Sequence, residues 1–370
     1  MNKAVASAEA AAAPAAGRPR HVYLIDGSGY VFRAFHALPP MTRSDGTPVG
    51  AVFGFTNMLL KLLTETGEVD RIAVVFDAKA KSFRNDIYPD YKANRPEMPP
   101  ELAPQLELIR EAVKAFNLPC VELEGYEADD LIATYARQAR TEGDLVTIVS
   151  SDKDLMQLVG DRVVMLDPIK NRPIGRAEVM ERFGVPPEKV IDVQALAGDS
   201  TDNVPGVPGI GVKTAAELIG RYGDLDTLLA HAAEIKQPKR RETLIAHAEQ
   251  ARLSRDLVRL KDDVPVEQTL DSFDKRAPDP QALLAFLNAN QFRSIARRVE
   301  AKLAESGALA ADGTGAFNHA AAARAAAAPA AAEEEPPPEV RYELIESLAE
   351  LDRWVEQAIA AGRVALAGFG

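Results

Sequence analysis

The chain has 370 residues, of which 46% are hydrophobic and 26% are charged, and its formal net charge at pH 7 is −12. This composition is ordinary for a globular protein with two or more domains, and it excludes fibrous and wholly disordered chains. No apolar run reaches the roughly 18 residues of a membrane span, so we expect no membrane partner. The single cysteine, Cys120, excludes an internal disulfide and suits a cytoplasmic location.

The chain begins with an alanine-rich stretch, residues 1–20, which Glu9 interrupts. We interpret it as a disordered tail because it lacks the leucine-rich centre of a signal peptide. From His21 onward, short β-branched strands alternate with helical stretches. Continuous apolar strands of this kind predict a mostly parallel sheet with helices on both faces, an α/β domain over residues 21–192. The predicted strands are His21–Asp26, Arg71–Asp77, Pro119–Leu123, Asp144–Ser150 and Arg162–Asp167, and the predicted helices are Val49–Thr66, Glu101–Asn117 and Glu127–Thr141.

After residue 192 the pattern becomes helical. Helices predicted at Thr214–Tyr222, Asp226–Ala233, Lys239–Leu260 and Pro280–Leu303 indicate a helical subdomain over residues 193–305. Residues 306–338 have almost no large apolar side chains, so they predict a disordered linker. Residues 339–370 show a strand-helix-strand pattern that is too short to fold alone, and we interpret them as the start of a further, truncated domain.

Acidic residues gather where the predicted elements meet. Because ligands of a parallel sheet bind beyond the carboxyl ends of its strands, the acids that follow three strands are expected at one edge. A helix start and the turn before the helical subdomain add further carboxylates. We expect two adjacent groups, one of Asp26, Asp77, Glu127 and Asp129, and the other of Asp130, Asp152, Asp154, Asp199 and Asp202.

Each of these acids also fits an ordinary structural role. Asp152 fits an N-cap, Glu127 and Asp129 fit the first turn of a helix, and Asp26 fits a turn. Together, however, so many carboxylates repel one another unless cations neutralise them. Hard oxygen ligands favour Mg²⁺ or Mn²⁺, and this number of acids suffices for two or more ions. Such a pair activates a water on one side of a phosphodiester and stabilises the leaving oxygen on the other.

Residues 79–95, named the arch segment below, offset the acidic net charge locally. The segment has five basic residues against two acidic ones, with three aromatic residues between them. Cations that pair with phosphates and rings that stack on bases are typical of a single-strand channel, and a solvated loop is the alternative. We place Arg84 and Lys92 nearest the scissile phosphate. The candidate DNA contacts are Lys79, Lys81, Phe83, Arg84, Tyr91, Lys92 and Arg95.

A glycine-rich stretch, Val204–Ala216, follows the last acidic pair. Glycines allow the backbone to approach a phosphate closely, and the next helix offers free N–H donors at its start. The stretch resembles the helix-hairpin-helix loops that hold a DNA backbone without reading its bases. Its candidate contacts are Gly206, Gly209, Gly211, Lys213 and Thr214.

Seven motifs occur in a familiar order. They are Leu-Ile-Asp-Gly at 24–27, Val-Phe-Asp-Ala-Lys at 75–79, Ser-Phe-Arg at 82–84, Tyr-Lys-Ala-Asn-Arg at 91–95, Gly-Tyr-Glu-Ala-Asp-Asp at 125–130, Ser-Asp-Lys-Asp-Leu at 151–155 and Gly-Asp-Ser-Thr-Asp-Asn-Val-Pro-Gly-Val-Pro-Gly-Ile-Gly at 198–211. Through them, residues 21–303 resemble the 5′ nuclease domain of bacterial DNA polymerase I. The resemblance implies a PIN-like α/β fold followed by a helix-hairpin-helix subdomain. It also implies Mg²⁺-dependent flap endonuclease and 5′→3′ exonuclease activity on branched, nicked or flapped DNA and on RNA primer 5′ ends, in replication and repair.

The same resemblance implies roles for individual residues. It makes the nine acids the metal-binding set, Arg84 and Lys92 the phosphate-steering cations, and the loop at 206–214 a duplex anchor that can also hold K⁺. Thr201 stands where the family usually has serine, and the hydroxyl is kept. Residues 339–370 resemble the start of a 3′→5′ exonuclease domain, with Gly368 where an acid is expected. We therefore expect degenerate proofreading in a parent protein with polymerase domains in cis.

Two other functions fit part of this pattern. A PIN-type ribonuclease would share the strand-end acids but would not need the glycine-rich hairpin. A non-cutting module that binds DNA structures would keep the hairpin and the arch segment, but it would be expected to lose some of the nine acids.

Overall fold

The computed structural model describes residues 18–65, 69–78 and 80–305. Most of the predicted tail at 1–20, the linker predicted at 306–338 and the domain start predicted at 339–370, including Gly368, lie outside the described residues. Lys79 also lies outside them.

The strands form one sheet in the order β3-β2-β1-β4-β5-β6, in which all neighbours are parallel except β5 and β6. This arrangement confirms the predicted mostly parallel sheet. β6 was missed because it has three residues and contains a proline, which strands tolerate only at a sheet edge. The strands are β1 His21–Asp26, β2 Arg71–Val75, β3 Cys120–Val121, β4 Leu145–Val149, β5 Val163–Asp167 and β6 Arg172–Ile174.

The central strand β1 lies between β2 and β4, and its register pairs Asp26 with Val75 and Ile25 with Val149. The strand order reverses between β1 and β4, which is where open α/β sheets bind their ligands. Asp26 ends β1 at this point, and Ser150 and Asp152 follow β4 directly.

Helices cover both faces of the sheet. The first group is α1 Gly27–Ala37, α2 Gly50–Glu65, α3 Arg84–Ile87, α4 Gln105–Ala115, α5 Ala128–Glu142, α6 Arg176–Phe183 and α7 Val190–Ala197. The second group is α8 Val212–Tyr222, α9 Leu225–Ala230, α10 Pro238–Ala246, α11 Ala248–Val258, α12 Pro280–Ala289 and α13 Arg293–Glu305. Among the described residues, no helix has both the length and the apolarity needed to cross a membrane.

Several helices differ from the sequence-based expectation. α1 was not predicted because its first turn contains two glycines, and Asp26 stabilises it by accepting a hydrogen bond from the Gly29 amide. The helix predicted at Lys239–Leu260 is divided at His247. The helix predicted at Pro280–Leu303 is divided near Gln291, whose φ of 61° is incompatible with a continuous helix.

Apolar side chains pack on both faces of the sheet, which explains the continuous apolar runs of its strands. One cluster of buried residues joins Leu24 to α5, α7, α8 and α9. The other joins Ile25 to α1, α2 and α4 and also to Leu287 of α12 and Ile295 of α13. The helical second half of the chain therefore contributes to both faces of the sheet.

Candidate metal centre

Asp26 is fixed between β1 and β4. Its buried carboxylate accepts hydrogen bonds from the Gly29 amide, at 2.7 Å, and from the Ser150 hydroxyl, at 2.7 Å. A side chain at position 29 would collide with the Asp26 carboxylate, so the close approach requires glycine. Asp26 thus serves as the N-cap of α1, whereas the ordinary alternative for it was a turn residue, and it also faces the cleft at the sheet edge.

Two exposed acids stand on either side of Asp26. Asp77, after β2, accepts a hydrogen bond from the Ala128 amide at the start of α5, at 2.8 Å. Asp152, after β4, accepts one from the Asp154 amide, at 2.9 Å. Backbone donors therefore orient both carboxylates without neutralising their charge.

The structure brings eight of the nine candidate acids together. Seven of them line one cleft of about 170 Å³. The eighth, Asp199, forms a group with Asp154 and Asp202, in which one carboxylate oxygen from each residue lies within 4.8 Å of the others. This spacing of hard oxygen donors fits a divalent cation. The seven that line the cleft are Asp26, Asp77, Glu127, Asp129, Asp152, Asp154 and Asp202.

Burial and the proximity of several carboxylates raise the pKa values of three aspartates in the cleft. Burial raises the pKa of Asp26 to about 6, and the charges of Asp77 and Asp152 add to this effect. Burial and the charge of Asp152 likewise raise the pKa of Asp154 to about 6. The pKa of Asp129 is raised well above its ordinary value by burial and by the neighbouring aspartates. Divalent cations would relieve this repulsion.

The Asp129→Asn variant is expected to be more stable than the wild type in EDTA, and increasingly so as pH rises. Because the pKa of Asp129 is higher in the folded protein, its contribution to stability is present at low pH and is lost as pH rises through the folded pKa. The variant should melt about 2–4 °C higher at neutral pH, and its advantage should shrink towards pH 5. Thermal melts across this range test the prediction, and a pH-independent difference would contradict it.

Basic side chains pair with several of these acids. Lys153 bridges Asp154 and Asp199, and Asp202 accepts a bond from Arg95. Burial alone would raise the pKa of Asp199, but the hydrogen bonds from Lys153 and the Thr201 amide outweigh burial and lower it. Lys92 donates to Glu127 at 2.7 Å. Of the predicted arch cations, Lys92 and Arg95 therefore lie at the cleft, while Lys81 is exposed.

Arg84 does not lie where we predicted. Its side chain is 1% exposed, and its guanidinium forms two bonds with Asp130, at 2.7 and 2.8 Å, and donates to the Leu257 carbonyl at 2.7 Å. Asp130 is fully buried and also accepts from the Glu127 and Lys261 amides. The predictions of a phosphate contact for Arg84 and of a metal ligand for Asp130 are therefore corrected: the two form an internal ion pair.

The aromatic residues of the arch segment also differ from expectation. Tyr91 is buried, and its hydroxyl donates to Glu127 at 3.1 Å and to Asp202 at 3.2 Å. Its ring is therefore not presented to a base, and the residue orients two acids instead. Phe83 is partly buried, with the Arg84 guanidinium 4.6 Å from its ring centroid and Tyr126 packed beside it.

The glycine-rich hairpin is divided between internal and exposed positions. Gly206 is buried, its amide donates to Ser254 and its carbonyl accepts from Gln250, so the DNA contact predicted for Gly206 is corrected. Gly206 also packs against Gly198, and a side chain at either position would collide with backbone atoms. Gly209, Gly211 and Lys213 are exposed and Thr214 is partly buried at the start of α8, where predicted DNA and K⁺ contacts remain predictions.

Sequence reasoning missed three residues that hold the acids. Ser150 bonds Asp26, Gln194 donates to Asp154, and Lys153 pairs with Asp154 and Asp199. Lys153 stands between two of the predicted ligands in the motif at 151–155, so its position could have indicated a counter-ion. Gln194 lies within α7, and nothing in its local sequence points to the site.

Family comparisons agree with this geometry. Residues 21–184 match the model of the N-terminal resolvase-like domain of 5′-3′ exonucleases, and residues 185–281 match the model of their C-terminal SAM fold. Over 75% of its length the chain is 59% identical to the DNA polymerase I of Rhizobium leguminosarum, but it spans only 28% of that polymerase. It is 38% identical to a 5′-3′ exonuclease of Aquifex aeolicus, covering 75% of this chain and 95% of that protein.

A solved structure is also similar. The flap endonuclease D15 of bacteriophage T5, in a pseudo-enzyme-product complex with DNA and metal ions, is 25% identical with a TM-score of 0.54. The match covers 65% of this chain and 90% of that one.

Proposed function

The chain belongs to the 5′-3′ exonuclease family, and from this premise we propose that it cuts the 5′ strand of branched, nicked or flapped DNA, using divalent cations held in its acidic cleft. The observation that carries the proposal is the convergence of eight carboxylates beside the cations of the arch segment. An internal, purely structural set of acids would be expected to be paired one to one with bases, whereas Asp26, Asp77 and Asp152 are held by neutral donors.

The donor set favours Mg²⁺ or Mn²⁺, two or more in number, because it consists of carboxylate oxygens. When bound, these ions supply activation of water and stabilisation of the leaving oxygen. The chain itself holds the ions through the acids of the cleft and orients those acids through Ser150, Tyr91 and Gln194. Lys92 and Arg95 then pair with the phosphate of the strand being cut.

The exposed part of the hairpin suits a non-specific anchor for duplex DNA. Gly209 and Gly211 precede α8, and Lys213 and Thr214 lie in its first turn, where the free amides of a helix start and a cation can meet a phosphate without reading bases. Lys81, exposed at the start of the arch segment, adds a further cation for the single strand. We also propose K⁺ as a ligand of this hairpin.

The wider role follows from the relatives. Because the chain matches the N-terminal part of DNA polymerase I, we propose that it acts with polymerase domains in cis, in the cytoplasm, and removes RNA primers and damaged 5′ ends. The match to a 5′-3′ exonuclease of Aquifex aeolicus, 95% of which is covered by this chain, supports the view that the nuclease part suffices for cutting.

Cleavage of a labelled 5′-flap DNA should occur in Mg²⁺ and stop in EDTA. Without a divalent cation, nothing bridges the carboxylates of the cleft to the phosphate of the DNA. Both cutting and close approach of the strand to the cleft should therefore fail. A panel of flap, nick, duplex and single-stranded RNA substrates, with and without EDTA, measures this directly. Binding without cutting in Mg²⁺ and Mn²⁺ would instead favour the non-cutting module, and preference for single-stranded RNA would favour a PIN-type ribonuclease.

A further inference from the structure

Arg95 and Lys92 of the arch segment are bonded to carboxylates of the metal centre, and the buried Arg84 lies 3.4 Å from one of them, Glu127. Arg95 lies 2.6 Å from one oxygen of Asp202, and Lys92 lies 2.7 Å from Glu127 and 3.7 Å from the other oxygen of Asp202. Asp202 belongs to the group of three aspartates whose spacing fits a divalent cation. The Asp202 carboxylate is thus shared between the chain's own cations and any metal ion that binds there.

The backbone holds these cations on the acids. The Lys92 amide donates to the Asp202 carbonyl at 2.9 Å, the Asn94 side chain donates to the Ser200 carbonyl at 2.6 Å, and the Asn203 side chain donates to the Asp90 carbonyl at 2.7 Å. Lys92 also has a φ of 58°, a conformation that residues other than glycine rarely adopt. The arch segment is therefore docked on the turn that carries Asp202.

The acids at the other end of the cleft are held differently. Asp26 is bonded by an amide and a hydroxyl, and Asp77 by an amide. Neutral donors leave the negative charge of these acids available to a metal ion, whereas a cation within hydrogen-bonding distance opposes metal binding at the same oxygen. The chain's cations therefore compete with a divalent cation at Glu127 and Asp202, through Lys92 and Arg95, and at Asp154 and Asp199, through Lys153.

We propose that Lys92 and Arg95 are exchangeable counter-ions, which pair with Glu127 and Asp202 until a DNA phosphate takes them over and frees these acids for a divalent cation. The inference rests on the proposed function and adds an energetic coupling between DNA binding and metal binding. Because coupling free energies are reciprocal, DNA and the divalent cation strengthen each other's binding by the same factor. Arg95, whose side chain is 45% exposed, is free to make this move without disturbing the core.

Calorimetric titration of Mn²⁺ into the full chain without DNA tests the exchange. The Arg95→Met variant, which keeps the aliphatic stem and loses the charge, should bind Mn²⁺ about fivefold more tightly at its weaker site. Arg95→Lys should stay close to the wild type. Arg176→Met is the matched control, because Arg176 pairs with Glu188 on the exposed surface of α6, away from the cleft. Its Mn²⁺ affinity should equal that of the wild type.

A second titration measures the coupling. With a duplex bound whose 5′-strand linkages are chemically blocked against hydrolysis, wild-type affinity for Mn²⁺ should rise several-fold, and this gain should shrink in Arg95→Met. Unchanged or weaker Mn²⁺ binding by a folded Arg95→Met variant overturns the exchange, and Arg95→Gln repeats the comparison if the methionine variant does not fold. If the wild type cuts the flap but the Arg95 substitution does not change Mn²⁺ binding, the counter-ion exchange is wrong and the nuclease proposal stands. If the substitution changes Mn²⁺ binding as predicted but the chain cuts no DNA, the nuclease proposal is wrong and the exchange stands.

Discussion

The Asp152→Ala variant is expected to lose cleavage of a 5′-flap DNA in Mg²⁺ by about 1,000-fold or more in single-turnover rate, because loss of a ligand removes several kcal/mol of transition-state stabilisation. Asp152 is exposed at the cleft and its charge raises the pKa of Asp26 and Asp154, so it lies close to both. Removal of this side chain leaves the apolar clusters intact. Binding of the flap should therefore change by no more than about threefold, as measured by fluorescence anisotropy.

A matched variant separates loss of a ligand from loss of charge in general. Asp161 is an exposed acid in the turn before β5 and does not line the cleft, so Asp161→Ala should cut at the wild-type rate. Asp77→Ala should behave like Asp152→Ala, because both acids line the same cleft from either side of Asp26. Retained turnover in both cleft variants would refute the assignment of the metal centre.

The Arg84→Met variant is expected to lose about 3–5 kcal/mol of unfolding free energy, since it leaves the buried Asp130 carboxylate without its charged partner. The variant also removes the bond to the Leu257 carbonyl, which ties the arch segment to the end of α11. Urea denaturation followed by circular dichroism measures the loss. Arg176→Met, which breaks an exposed ion pair, should cost less than about 1 kcal/mol by the same measurement.

A double variant distinguishes this role from a contact with phosphate. Asp130→Asn in the Arg84→Met background removes the unpaired buried charge, so it should restore a large part of the lost stability. If Arg84→Met were as stable as the wild type but failed to cut DNA, the internal ion pair would be the wrong account and the phosphate contact predicted from the sequence would be right.

The acids could be located from the sequence because their positions depend on local rules. Asp26 and Asp77 follow apolar strands, and a parallel sheet brings the ends of its strands to one edge. The same rule placed the residues after β4. Strand periodicity and the points where strands end are local properties, so the sheet and the acids at its edge could be predicted together.

The buried position of Arg84 could not be predicted in this way. Its partners, Asp130 and the Leu257 carbonyl, lie 46 and 173 positions away along the chain. A basic segment with aromatic residues has the same local pattern whether its arginine faces solvent or an internal carboxylate. Gly206 is a similar case, because Ser254 and Gln250, which occupy its amide and carbonyl, belong to α11.

The packing of α12 and α13 on α2 and α4 has a consequence for how the protein is made. Asn290, between these two helices, bonds Arg43, which was synthesised 247 positions earlier. Contacts of such long range form late, and apolar surface stays uncovered until they do. We expect a nascent chain on the ribosome to expose the apolar side of α2 and α4 until α13 has emerged. Every carboxylate of the cleft is synthesised before that point. All residues of the nuclease site are therefore present in the nascent chain well before the helices that complete the fold can pack.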